Sequence, residues 1–135
     1  MKTKKIQFTI LACILLSFFF ITNSQSASEI KVTGIFSSMY QNPETEDIVG
    51  MEIFILKTRN QYYAILQMAE GEPYKPVIVE VKITGNNIEF KTPGPPEDYI
   101  PQDVFKGKIS QTGISGKWEK AGYESFLKRG KSFWQ

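Results

Sequence analysis

The chain has 135 residues, 41% hydrophobic and 22% charged, with no histidine and a single cysteine, Cys13. Sixteen basic and 14 acidic residues give a formal net charge of +2. Without histidine, the Ser-His-Asp and Cys-His catalytic arrangements cannot form, and zinc sites of the usual kind are excluded.

The first 26 residues read as a leader. Lys2, Lys4 and Lys5 precede an almost wholly apolar stretch at 6–21, and small or polar residues follow from Thr22 to Ser28. A positive start, an apolar middle and a small-residue exit are the marks of a secretory signal peptide, here with cleavage expected near 26–28. The expectation is therefore a secreted or periplasmic protein with one domain over 27–135. The apolar run is short for a bilayer span, which needs about 20 residues. Cys13, preceded by Ile10, Leu11 and Ala12, loosely resembles a bacterial lipobox and offers a lipoprotein alternative. Cutting there would leave the greasy 14–21 stretch beside the lipid, which disfavours it.

Without the leader the chain holds 13 basic and 14 acidic residues, a net charge of −1. A nucleic-acid reading, which needs a concentrated basic face, loses its footing. The charge is uneven, however. Residues 29–103 carry six basic and twelve acidic side chains, and residues 106–135 carry seven and two. That imbalance makes Lys128 and Arg129 candidates for a cationic surface facing an acidic partner. With no cysteine in 27–135, no disulfide can brace the domain, and a buried core must do so.

In chain order, residues 30–40 form a first strand with Val32, Gly34 and Phe36 in phase. An acidic loop at 41–47 follows, then strands at 48–58 and 61–69 joined at Arg59-Asn60. Both of these strands are apolar on two faces: Met51, Ile53 and Ile55 against Phe54 and Leu56, and Tyr63 and Ile65 against Tyr62, Leu66 and Met68. The excess face calls for a cover, either a partner subunit, the C-terminal Phe133-Trp134 or a second layer. Phe54 and Leu56 are thus candidate partner-surface residues, with a homodimer through the 51–68 hairpin as one expectation.

After a turn at 71–76, Val77, Val79, Val81 and Ile83 alternate with Glu80 and Lys82, the period of a half-buried strand. Thr84-Gly85-Asn86-Asn87 turns the chain into Ile88-Glu89-Phe90-Lys91, a β-hairpin. Residues 92–102 hold four of the seven prolines and read as an extended surface crossover, with Tyr99 and Ile100 as a plug on the core or a lid. A second hairpin runs 105–109 and 114–118. Its Gly107 and Gly116 are expected near one another, marking a sharp bend or the close approach of another group. Residues 123–129 suit a last strand or a short helix.

The sum is all-β: an antiparallel meander of about seven or eight strands. The expectation is a closed small barrel, which removes exposed edges, with a β-sandwich as the alternative. Strand count, the early Gly34-Ile35-Phe36 and the late glycine-bearing hairpin with Trp118 resemble the avidin and lipocalin-like calycin barrels. Phe36 stands where the lipocalin Gly-x-Trp signature has tryptophan, the chain is shorter than a usual lipocalin, and no biotin-site residue carries over. The resemblance implies shape, and shape does not fix function.

For recognition the sequence offers aromatics. Tyr40, Tyr63, Phe90 and Trp118 are expected to project inward, with Gln67 in phase with Tyr63, as the lining for a small apolar or amphipathic ligand. No cofactor and no metal are expected. The leading reading is an exported non-catalytic binding protein. A protein-interaction module or inhibitor acting through the outer surface is the alternative. A carboxylate hydrolase using Glu97, Asp98 or Asp103 is the remaining enzymatic option, against which stands the polar, loop-like setting of all three.

Overall fold

Period-two alternation builds a sheet that closes on itself. In the computed structural model, which describes residues 29–94 and 100–135, no helix appears among the described residues and the strands follow one another antiparallel. They are β1 (Gly34–Ser37), β2 (Tyr40–Gln41), β3 (Ile48–Lys57), β4 (Tyr62–Pro73), β5 (Val77–Thr84), β6 (Asn87–Lys91), β7 (Val104–Ile109), β8 (Gly113–Trp118) and β9 (Glu124–Gly130). Each pairs with its sequence neighbour from β3 to β9, and β1 then bridges β3 and β9, with Phe36 opposite both Ile53 and Arg129. The result is a closed eight-stranded barrel of calycin-like shape, with β2 as an extra strand along β3. The stretch expected to be a leader, with Cys13, and Glu97, Asp98 and Tyr99 lie outside the described residues.

Three expected boundaries shift. The first strand begins at Gly34, not residue 30; Ile30 and Val32 instead pack on the core from an irregular segment. It is also broken at Ser38 and Met39, where Ser38 N–H donates to Met51 O at 2.8 Å and Met51 N–H donates to Ser38 Oγ at 3.1 Å. Gly50 makes that crossing possible: its φ is +113°, and a Cβ there would lie 2.5 Å from Ser38 O. Finally, β4 runs on through Pro73 because β3 is long enough to pair Ile48 with Gly71, so the turn expected at 71–76 starts later. The segment at 123–129 is strand, since its alternation lets Leu127 enter the core while Phe126 and Lys128 face out.

The interior is filled unevenly. Towards the end where β1 starts, Phe36, Ile53, Ile55, Leu66, Ile88, Ile109, Ile114 and Leu127 are all essentially sealed. Full burial of such side chains is worth about 1.5–3 kcal/mol each. Above them Phe90, Phe105 and Trp118 form an aromatic cluster, with centroids 5.0 Å apart for the stacked phenylalanines and 5.8 and 5.2 Å from each to the edge-on indole. Gly107 and Gly116 face each other directly across the β7–β8 ladder. The Phe105 ring lies over both, so a Cβ at Gly116 would overlap it. The glycines make room for a neighbouring ring, which is how an aromatic compensates bare backbone in a curved sheet.

The sealed end is held by Arg129, an inward-facing residue of β9. Its guanidinium donates to the carbonyls of Lys31, Thr33 (3.1 Å), Ser110 (3.2 Å) and Gln111 (3.1 Å) while stacking on the Phe36 ring at 4.3 Å. Planar, delocalised and weakly hydrated, this group can satisfy several carbonyls at low dielectric where an ammonium cannot. Arg129 is therefore a brace between the N-terminal segment and the β7–β8 turn, and the expectation that it belongs to a partner surface is corrected. Arg129→Met, which keeps the length and removes the donors, should lower the unfolding free energy in urea by about 3 kcal/mol. Arg129→Lys should fall between the two.

Candidate functional site

The opposite end of the barrel is open. The β1–β2 break, the end of β4, the approach to β7 and the β8–β9 turn frame a cleft of about 380 Å³. That lies within the usual range for small-molecule sites, about 300–1,000 Å³. Its buried lining includes Met51, Ile100 and Trp118, and Met68, Tyr74 and Tyr123 complete its aromatic and apolar sides. Ile100, expected as a plug or lid, is 5% exposed and forms part of this wall.

Trp118 is the informative residue here. It is 2% exposed, and among the described residues its indole Nε1–H meets no hydrogen-bond acceptor. A buried donor without a partner costs about 1–3 kcal/mol. Its other surroundings are aromatic: the Phe90 and Phe105 rings, and Tyr123 with a centroid at 6.5 Å.

The rim is pinned by two polar residues. Thr92, fully buried, donates from Oγ1 to Pro101 O at 2.6 Å and accepts from Asp103 N–H at 2.8 Å, tying the two ends of the proline-rich crossover together. The Asp103 carboxylate then accepts three backbone N–H groups, from Val104 (2.7 Å), Lys120 (2.9 Å) and Ala121 (3.0 Å). Burial alone would raise its pKa. The three amides and the Lys120 charge outweigh that and leave it below the ordinary carboxylate value. A carboxyl held ionised in this way is a poor general acid, and its three amide bonds make it a tie for the rim. Tyr123 moves the other way: burial, then the charges of Asp103 and Glu70, raise its hydroxyl pKa.

The sequence-derived ligand residues divide. Phe90 and Trp118 project inward, Trp118 into the cleft wall and Phe90 into the ring cluster beside it. Tyr40 does not: it sits on β2, 57% exposed. Tyr63 and Gln67 also face outward, because the inward phase of β4 belongs to Tyr62, Ala64, Leu66 and Met68. Gln67 donates to Tyr74 O at 3.0 Å and accepts from Trp134 Nε1–H at 2.9 Å, both outside the lumen. Sequence reasoning missed Met51, Met68, Tyr74 and Tyr123 as cleft residues. The phase shared by Met51 and Met68 with the core was the available signal; Tyr74 and Tyr123 lie in turns that carry none.

On the outside, Phe54 and Leu56 are 38% and 39% exposed. Phe54 belongs to a row across four strands, Ile35, Phe54, Ile65 and Ile78, each opposite the next. The C-terminal tail is fastened to the adjoining row: Ser132 Oγ and Phe133 N–H donate to Glu52 at 2.6 and 2.7 Å. Lys128 is exposed on β9. Among the described residues no three His, Cys, Asp or Glu side chains converge as metal ligands. Comparison with known proteins finds no matching family model, no matching curated protein and no matching solved structure.

The depressed pKa of Asp103 fixes the sign of its pH effect. Its stabilisation is complete above the unfolded carboxylate value near 3.8 and is lost as pH falls through the lower folded value. Asp103→Asn should lower the urea midpoint at neutral pH and flatten the acid-side loss of stability below about pH 4, compared with the parent protein in parallel titrations.

Proposed function

We propose that this chain is an exported, non-catalytic binding protein that carries a small apolar or amphipathic molecule in the open mouth of its calycin-like barrel. The observation that carries this reading is the buried Trp118, a wall residue of a cleft of about 380 Å³, whose Nε1–H has no acceptor among the described residues. An apolar pocket with few polar groups orients a ligand by those groups, and an unsatisfied donor is such a handle. The histidine-free sequence and the commitment of Asp103 to backbone amides support a non-catalytic role. The leader supports export to the periplasm or the medium. Native mass spectrometry of gently purified protein should show a bound small molecule, absent from a Met68→Trp variant whose larger ring occupies the mouth. A ligand-free parent that also takes up no apolar probe would refute the reading.

The outer row from Ile35 to Ile78 favours a second reading, association through the outside of β3 to β5, with a second copy as one partner. Ile78 is 73% exposed and Ile65 40%, next to each other in register. An apolar strip of this kind on a sheet marks an interaction surface more often than isolated exposed residues do. Sedimentation should give a concentration-dependent dimer that Ile65→Lys with Ile78→Glu converts to monomer. A parent that stays monomeric at high concentration rules out self-association.

A further inference from the structure

We infer that the molecule held in the barrel mouth is an amphiphile with a positively charged head, and that Glu70 at the rim selects that charge. This rests on the binding reading above and extends it to the ligand's chemistry. Among the described residues, those that line the cleft include two carboxylates, Glu70 and Asp103, and no lysine or arginine. Aromatic faces accompany them: Trp118, Tyr74 and Tyr123 all border the same space. Carboxylates beside aromatic rings around an apolar pocket are the chemistry that recognises organic ammonium groups, through charge and through the ring quadrupole.

The two acids play different parts. Asp103 has its charge spread over three backbone N–H bonds, and Lys120 contributes its charge there from outside the cleft lining. Glu70 is exposed at the end of β4, and its described contact is a long one, from Tyr74 Oη–H at 3.5 Å. It therefore keeps most of its capacity to meet a ligand charge. Both acids are felt across the mouth, since their charges help raise the Tyr123 hydroxyl pKa. Deeper in, the unpaired indole N–H of Trp118 offers a donor, which an acceptor oxygen on the ligand body would satisfy without altering the preference at the rim. An anionic head, such as a fatty-acid carboxylate, would meet Glu70 and Asp103 with no cation among the described lining residues to offset them.

Calorimetric titration with three ten-carbon probes below their aggregation limits separates the possibilities: decyltrimethylammonium, decanol and decanoate. At low ionic strength decyltrimethylammonium should bind at least about tenfold more tightly than decanoate, with the gap narrowing in salt. Glu70→Gln, similar in size and still an acceptor for Tyr74, should weaken the cationic probe about three- to fivefold and leave decanol unchanged. Equal or tighter binding of decanoate, or a Glu70→Gln variant with the parent's charge preference, overturns the inference while decanol binding still upholds a ligand-carrying mouth. Failure of all three probes to bind overturns both.

Discussion

The structure depends on one closure. β1 is only four residues long, yet it lies between β3 and β9 and turns a meander into a barrel. So short a strand needs help, and it comes from Arg129, which lies across the Phe36 ring and gathers carbonyls from the N-terminal segment and the β7–β8 turn. A closed barrel has no free edge to pair with other chains. It also has two ends, and closing one with a cation and sealed aliphatic side chains leaves the other as the place where the lumen can receive anything.

That open end is tied down by hydrogen bonds on one side. Asp103 and Thr92 tie the crossover and the β8–β9 turn to the barrel wall through backbone amides. Buried polar groups of this kind cost stability if left unpaired and specify a single arrangement when satisfied. Trp118 is the counter-example among the described residues, satisfied in packing and unsatisfied in hydrogen bonding. Concentrating that deficit at a cleft, where preorganised donors are useful, is what a binding site requires.

Much of the architecture was legible from residues alone, because alternation reports strands and the glycine pair reported its own cross-strand meeting. Alternation does not say which phase faces in when both faces are apolar. Tyr63 and Gln67 were therefore expected in the lumen, although their phase is the outer one on β4. Arg129 looked like surface because a charge defaults to solvent. Its anchoring depends on carbonyls 96 and 98 residues away, which no local pattern encodes. Asp103 was indistinguishable from its loop neighbours for the same reason: two of its amide partners lie 17 and 18 residues further on. Of the mouth, only Trp118 was named from sequence as ligand lining, and Ile100 as its plug.

In the proposed function, ligand enters the mouth and reaches the Trp118 indole, whose N–H has no acceptor among the described residues. The chain has two tryptophans, so its amide-correlation spectrum carries two indole N–H resonances. Trp134 is already bonded to Gln67 Oε1 on the outside of the barrel and serves as the internal reference. On titration with decanol, the Trp118 resonance should move progressively and saturably while that of Trp134 stays in place. A Trp118 resonance that never moves, or one that moves less than Trp134, would contradict the account.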